Sequence, residues 1–242
     1  MDKTVELNLN VLQLCDNINF KKIPKSKLWE LSDRAKKKSI TIELGTRGLE
    51  LDDIKEYIKI AEILDSKLIR TLINSNKYQP SIKEAKKSLK QLTSFIEEKG
   101  IKIAIENHDS RTNEELLELL NYVDSSNVGV CLDTVNSFGA LECPEKVINQ
   151  LLPYTINIHI KDFVIKRKDH MMGFEILGTP AGDGVLDIGK ILTMVDEFEI
   201  DPNIILELWT PPEDNIKKTI IKEDVWATKS IKYLRRKMNE KK

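Results

Sequence analysis

The sequence predicts an α/β fold of repeating strand–helix units that close into a barrel. Its 242 residues approach the roughly 250 that are typical of an eight-unit barrel. Short β-rich runs recur along the chain, and each is followed by a segment with helical periodicity. Strands that alternate with helices in this way form right-handed βαβ units and a parallel sheet. No Pro/Gly/Ser-rich linker or change of composition divides the chain, so residues 1–242 are expected to form a single domain.

Seven runs are predicted to be strands. They are rich in Val, Ile and Leu and are separated by helical stretches. In chain order they are residues 11–15, 40–44, 67–73, 101–106, 128–133, 155–162 and 203–209. The segment after Ser81 is typical of the predicted helices, because its apolar residues fall on one stripe and Gly100 follows as a stop.

A doubly wound sheet is the alternative to a barrel. A sheet of that kind that binds a dinucleotide normally carries a GxGxxG turn after its first strand. Neither of the first two predicted strands is followed by this pattern, and ELGTRG at 43–48 has the wrong glycine spacing, with Arg47 between the glycines. In each of the later runs the residues of one parity are all apolar, as a (β/α)8 TIM barrel requires of the face that packs on helices, and the alternate residues face the interior.

Four successive runs place an ionisable residue at the interior parity near their C-terminal ends. These residues are Glu106, Asp133, His159 and Glu207. Any one of them alone also fits a salt bridge or a satisfied core position, but buried charges are costly unless they are paired or bind a metal. Three carboxylates and one imidazole suit Mn²⁺, Mg²⁺ or Co²⁺ better than a thiolate-rich zinc site, with Zn²⁺ still open. The sequence therefore predicts a divalent-metal site, with Mn²⁺ as the first choice.

Composition excludes several other classes of protein. The 38 basic and 39 acidic residues give a formal net charge of −1, which does not suit a generic nucleic-acid or membrane-surface binder. No run approaches the roughly 20 apolar residues of a membrane span, and the first residues do not resemble a signal peptide, so a cytoplasmic protein is expected. Cys15, Cys131 and Cys143 lack CxxC spacing and are expected to be reduced.

Five segments carry a recurring set of motifs over residues 101–209. They are IAIENH (103–108), VCLDT (130–134), IHIKD (158–162), GTPAGDGVLDI (178–188) and ILELW (205–209). Together they resemble the xylose-isomerase-like TIM-barrel superfamily of sugar phosphate isomerases and epimerases. The resemblance implies that Glu106, Asp133, His159 and Glu207 hold a metal ion and that Glu106 and Glu207 also form an acid/base pair.

This resemblance implies a metal-dependent isomerase or epimerase of a small ketose, sugar phosphate or sugar acid. A cation bound by the ketone and an adjacent hydroxyl would stabilise the enediolate intermediate. One carboxylate would remove the proton and the other would return it, to the opposite face in an epimerase or to the neighbouring carbon in an isomerase.

Further polar residues are predicted to bind the substrate. His108 has the interior parity beyond Glu106, and Lys161 shares the parity of His159, although Lys161 also fits a salt bridge with Asp162 or another neighbour. Glu43 and Arg70 lie at strand ends on the other side of the predicted barrel, where an internal ion pair is the alternative. Arg167 lies with Lys168 in a long segment, 163–186, that is expected to be a lid. The complete set is His108, Lys161, Glu43, Arg70, Asn136 and Arg167.

Two features depart from the family pattern. Asn136 stands where many members carry a histidine three residues after the aspartate, and with three histidines in the chain the histidine-rich zinc cluster of the endonuclease IV branch cannot be assembled. Residues 3–10 look like the end of the family's first helix, so the seven predicted strands would be strands two to eight and the first strand would be missing. The alternative takes Val5, Leu7, Leu9 and Val11 as a strand.

Three functions remain open at this stage. The first is the isomerase or epimerase, and the second is a lyase on the same centre, such as a dehydratase of a keto-cyclitol, since both pass through an enediolate. The third is a non-catalytic sugar-binding barrel. A small sugar is the expected partner in each case, and a homodimer is possible because an open seam would expose strand edges that need a cover.

Overall fold

The structure is a computed structural model that describes residues 1–108 and 111–240. The described residues form seven parallel strands with intervening helices, which confirms the predicted α/β class. The parallel strands are β1 (Val11–Leu14), β2 (Thr41–Gly45), β3 (Leu68–Thr71), β4 (Lys102–Glu106), β5 (Val128–Asp133), β6 (Thr155–Ile160) and β9 (Asn203–Leu206), and the remaining two are β7 (Asp162–Arg167) and β8 (Phe174–Thr179).

Eight α-helices are present in the described residues. They are α1 (Asp2–Glu6), α2 (Lys25–Lys37), α3 (Leu51–Leu64), α4 (Ile82–Lys99), α5 (Asn113–Val123), α6 (Pro144–Leu151), α7 (Ile188–Glu197) and α8 (Ile216–Asn239), and short 3₁₀ helices cover Phe20–Lys22, Asn136–Ala140 and Leu152–Tyr154. Helix α1 occupies the segment for which the sequence allowed a helix end or a strand, so the helical alternative is the correct one for residues 2–6. None of the helices in the described ranges is long and apolar enough to cross a lipid bilayer.

The chain divides into two compact units. The first comprises Met1–Leu132 and Asn136–Asn157, and the second comprises Asp133–Val135 and Ile158–Lys242. The single domain predicted for residues 1–242 therefore stays a prediction, and each unit is described by itself.

The first unit contains the strands β1 to β4, β5 up to Leu132 and the start of β6, which neighbour one another in sequence order. The strands from β1 to β5 pair in parallel with their neighbours, with Ile69 beside Ile103 and Ile105 beside Val130. These isoleucines are fully buried, as expected for parallel strands that are covered on both faces. Helix α4 packs the predicted apolar stripe inward and begins at Ser81 with a capping box, in which the serine side chain accepts a hydrogen bond from the backbone of Glu84.

The second unit contains the rest of β6 next to β9, a β-hairpin and the helices α7 and α8. The hairpin pairs β7 with β8 in antiparallel register from Asp162↔Thr179 to Arg167↔Phe174. This hairpin was not predicted, because residues 163–186 read as a long glycine-containing loop. The β-branched and aromatic residues on both sides of the tip are the sequence signal for strands at this place.

Candidate active site

Three predicted metal ligands lie together in the second unit. Asp133 ends β5, His159 lies in β6 and Glu207 directly follows β9. Each offers one ligand atom, and these atoms all lie within 4.8 Å of one another. Asp133 and His159 are buried, whereas 38% of the Glu207 side chain is exposed. The arrangement places two carboxylates and one imidazole at the C-terminal ends of their strands, where TIM-barrel sites are built.

Backbone contacts fix the direction of these ligands. The Val135 N–H donates to Asp133 Oδ1 at 2.8 Å, and the other carboxylate oxygen, Oδ2, faces the Lys161 ammonium group. The Glu207 N–H donates to the Ile160 carbonyl at 3.1 Å, which ties the end of β9 to the end of β6. These two hydrogen bonds therefore hold the Asp133 carboxylate and the Glu207 backbone in place.

Thr134 adds a second connection between the strand ends. Its N–H and its hydroxyl donate to the His159 carbonyl, at 3.2 and 3.1 Å, and its hydroxyl oxygen accepts the Lys161 N–H at 3.1 Å. The backbone on both sides of His159 is thus held by one buried threonine. Sequence reasoning passed over Thr134, although it directly follows Asp133.

The donor set of the three residues fits a divalent cation. Hard carboxylate oxygens with one imidazole nitrogen are ligands that Mn²⁺, Mg²⁺ and Zn²⁺ all accept. His159 Nδ1 and Glu207 Oε2 lie 2.6 Å apart. Such a short contact between two lone-pair atoms is favourable when a cation lies between them or a proton is on the imidazole. Asp133, His159 and Glu207 are thus residues that could hold a divalent cation.

Lys161, which directly follows β6, joins this cluster. It is buried, and its Nζ lies 2.8 Å from Asp133 Oδ2, 3.3 Å from Glu207 Oε1 and 5.1 Å from the centroid of the Trp209 ring. Of the two salt-bridge alternatives that the sequence left open, the structure has the one with neighbouring carboxylates and not the one with the adjacent Asp162. One ammonium group thus lies between the carboxylates of Asp133 and Glu207, which together with His159 we call the triad.

Asp162 has a different role, which sequence reasoning missed. Its buried carboxylate accepts four backbone N–H groups: Oδ1 accepts those of Phe163 and Leu186 at 2.8 and 3.2 Å, and Oδ2 accepts those of Gly182 and Gly184 at 2.8 and 3.0 Å. The loop after the hairpin is therefore wrapped around one side chain. The glycines in the segment GTPAGDG were the available signal.

Both loop glycines are required by this packing. Gly182 has φ +91°, in the left-handed region that favours glycine, and a Cβ there would lie 2.4 Å from the Tyr233 ring. A Cβ on Gly184 would lie 2.0 Å from Asp162 Oδ1. Side chains at either position would push the loop away from the carboxylate that holds it.

Three predicted site residues meet in the first unit. Glu106 accepts hydrogen bonds from Arg70 Nε and, at 2.7 Å, from Asn136 Nδ2, and all three side chains are buried. Burial alone would lower the pKa of the Arg70 guanidinium, but the charge and hydrogen bond of Glu106 outweigh it, and this pKa lies well above its ordinary value. The internal ion pair that the sequence allowed for Arg70 is thus formed with Glu106.

Glu43 lies in a separate buried network of the first unit. Its Oε2 accepts from Gln13 Nε2 and from Asn157 Nδ2, both at 3.0 Å, and Gln13 Nε2 also reaches Asn157 Oδ1 at 3.1 Å. Carboxamides therefore surround this carboxylate. Gln13 and Asn157 were not predicted as partners, although Asn157 has the interior parity of its strand.

The last two predicted substrate residues are His108 and Arg167. His108 is half-buried just after β4, and Arg167 is exposed at the end of β7 with Lys168 directly beyond it. Lys168 lies 4.0 Å from Glu175 across the hairpin. A role for His108 or Arg167 in substrate binding stays a prediction.

Comparison with known proteins identifies the family to which this fold belongs. A family model described as the xylose isomerase-like TIM barrel matches residues 32–237. The chain therefore belongs to the xylose isomerase-like TIM barrel family, which confirms both the resemblance and the barrel type expected from the sequence.

Individual relatives add detail. The chain is 32% identical to the 3-oxo-isoapionate decarboxylase of Pectobacterium atrosepticum over 234 residues, which cover 97% of this chain and 85% of that protein. A xylose isomerase-like TIM barrel protein from Mycobacterium smegmatis in complex with magnesium has a TM-score of 0.69 at 14% identity, covering 94% and 86% of the two chains. A D-psicose 3-epimerase in the presence of D-fructose has a TM-score of 0.75 at 15% identity, covering 96% and 90%. At these identities the two structures support the fold.

Proposed function

We propose that this chain is a divalent-metal-dependent enzyme that takes a small oxo-sugar or oxo-sugar acid through an enediolate intermediate. The single observation that carries the proposal is the cluster of Asp133, His159 and Glu207, whose ligand atoms lie within 4.8 Å of one another. A bound cation would polarise the substrate carbonyl as a Lewis acid. Glu106 was predicted as a fourth ligand from its interior parity and from the family resemblance, and its role as a ligand stays part of the proposal.

The chain's own residues supply charge and proton transfer. Lys161 lies beside Asp133 and Glu207, so it can balance negative charge that develops on the substrate. The Glu207 carboxylate is partly exposed, and the hydrogen bond from the Glu207 N–H to the Ile160 carbonyl holds the backbone that carries it. It can therefore accept or return a proton. The Trp209 ring, 38% exposed, offers an apolar face for the carbon skeleton of a sugar.

Within this class, decarboxylation of a 3-oxo sugar acid is the reaction we propose first. The bond between the carboxylate and the α-carbon breaks, its electron pair passes to the 3-oxo group to give the enolate, CO₂ leaves, and a proton then returns to the carbon. One proton donor is sufficient, and Glu207 fits that role. The identity of 32% over nearly the whole chain to a 3-oxo acid decarboxylase supports this choice.

Isomerisation or epimerisation is the second candidate, with Glu106 and Glu207 as the acid/base pair. Glu106 favours it by its place at the C-terminal end of β4, where the family resemblance gives a glutamate this role. Against it stands the bonding of Glu106, whose carboxylate accepts from both Arg70 and Asn136. A carboxylate that is neutralised in this way is a weaker base, and epimerisation needs two effective groups.

The test measures products and proton exchange in D₂O. The protein is incubated with MnCl₂ and a panel of 3-oxo sugar acids and ketoses, and CO₂ release and carbon-bound deuterium are followed by NMR. We expect CO₂ release from a 3-oxo acid with one deuterium gained, and Glu207→Gln should lower the rate by about 100-fold or more, as for loss of a general acid. Glu213→Gln is the matched control, because Glu213 is also 38% exposed and paired with a lysine, and it should leave the rate unchanged.

Other products would assign other functions. Loss of substrate C–H signal without CO₂ would show the isomerase or epimerase instead, and loss of water would show the lyase. Saturable sugar binding without turnover would contradict the enzyme proposal and support the sugar-binding barrel. The expected homodimer is a separate proposal, for which light scattering gives the mass directly.

A further inference from the structure

The ammonium group of Lys161 lies where a bound cation would act. Its Nζ is 2.8 Å from Asp133 Oδ2 and 3.3 Å from Glu207 Oε1, and only 3% of the side chain is exposed. Because the Val135 N–H already engages Asp133 Oδ1, Oδ2 is the oxygen of that carboxylate that remains directed toward the cluster. A metal ion and Lys161 would therefore address the same oxygen.

We propose that Lys161 is a built-in counter-cation that weakens metal binding at the triad and keeps the metal-free site folded. This inference rests on the proposed metal centre. Two carboxylates and a neutral imidazole would present a charge of −2 to an incoming ion, and the ammonium group reduces it to −1. Since the lysine is buried, its repulsion of a divalent ion is poorly screened by solvent.

The same contact stabilises the protein before a metal binds. Buried carboxylates without a cation are costly, and the lysine supplies that cation to two of them at once. The Trp209 ring, 5.1 Å from Nζ, gives the ammonium group a further favourable contact. The expected consequence is a stable metal-free protein with an exchangeable metal ion.

Titration of the metal-stripped protein with MnCl₂ by calorimetry tests this inference. Lys161→Met should bind Mn²⁺ about tenfold or more tightly than the wild type, because the repulsion of a buried unit charge is removed. Its Tm without metal should fall, and its Tm should rise more on addition of Mn²⁺. Lys161→Arg keeps the charge and should stay within about threefold of the wild-type affinity by the same argument. Lys229→Met removes an exposed lysine that pairs with Asp183 in the same unit, and it should change neither quantity.

Lys161→Gln covers the case in which the methionine variant does not fold without metal, because an uncharged amide is polar and is less costly than a thioether beside buried carboxylates. It should show the same tightening as Lys161→Met. If the wild type binds Mn²⁺ and both neutral variants bind it with the same or a weaker affinity, the role of Lys161 is overturned and the metal centre stands. Absence of Mn²⁺ binding to the wild type and all variants would overturn the metal centre itself, and this inference with it.

Discussion

Asp162→Ala is expected to lower the free energy of unfolding by about 4 kcal/mol or more. Each backbone N–H that loses its acceptor in a buried place costs about 1–3 kcal/mol, and Asp162 accepts four of them. Gly182 is exposed and Gly184 is half-buried, so water replaces some of this bonding, which places the expected value at the lower end. Urea unfolding monitored by circular dichroism measures the change.

Asp183→Ala is the matched control for this prediction. Asp183 lies in the same loop, but it is exposed and its partner is the exposed Lys229. Exposed ion pairs contribute about 0–1 kcal/mol, so its replacement should change stability by no more than that. Equal losses in the two variants would mean that the loop tolerates the loss of its central acceptor, and the account of Asp162 would be wrong.

Arg70→Met is expected to destabilise the protein by about 3–5 kcal/mol, because it leaves Glu106 as a buried charge without its cation. The side chains of Arg70 and Glu106 are only 6% and 1% exposed, so solvent cannot take over the role of the guanidinium. Unfolding in urea gives the value.

Two variants separate the charge effect from simple truncation. Arg70→Met combined with Glu106→Gln removes both charges and should recover much of the loss. Arg47→Met removes an arginine that is 44% exposed and pairs with Asp16, and it should cost about 1 kcal/mol or less. A double variant no more stable than Arg70→Met would contradict the view that the uncompensated charge causes the loss.

Local patterns in the sequence were sufficient to predict the seven strands and the placement of the triad. Alternation of apolar residues marks the strands, and the same alternation assigns Asp133 and His159 to a buried face near the strand ends. Partners were harder to predict. Parity states that Lys161 and Arg70 point inward, but the carboxylate that each one meets lies on another strand, and its choice depends on side-chain reach and strand spacing.

The hairpin and its loop show a second limit. Strands β7 and β8 were missed because the glycines around them favoured a loop, and Asp162 was missed because its four partners are backbone N–H groups that any sequence carries. The network of Gln13, Glu43 and Asn157 was missed for a related reason. Gln13 lies beside Glu43 in the pairing of β1 with β2, but Asn157 comes from β6, far along the chain, and local patterns do not show that it meets them.

Anomalous X-ray diffraction from crystals grown with MnCl₂ shows whether the proposed metal centre binds manganese. We expect one strong manganese peak within bonding distance of Asp133, His159 and Glu207. The same peak should disappear in crystals of Asp133→Ala. Crystals that diffract well and carry no manganese at these three residues, or carry it only elsewhere, would contradict the claim.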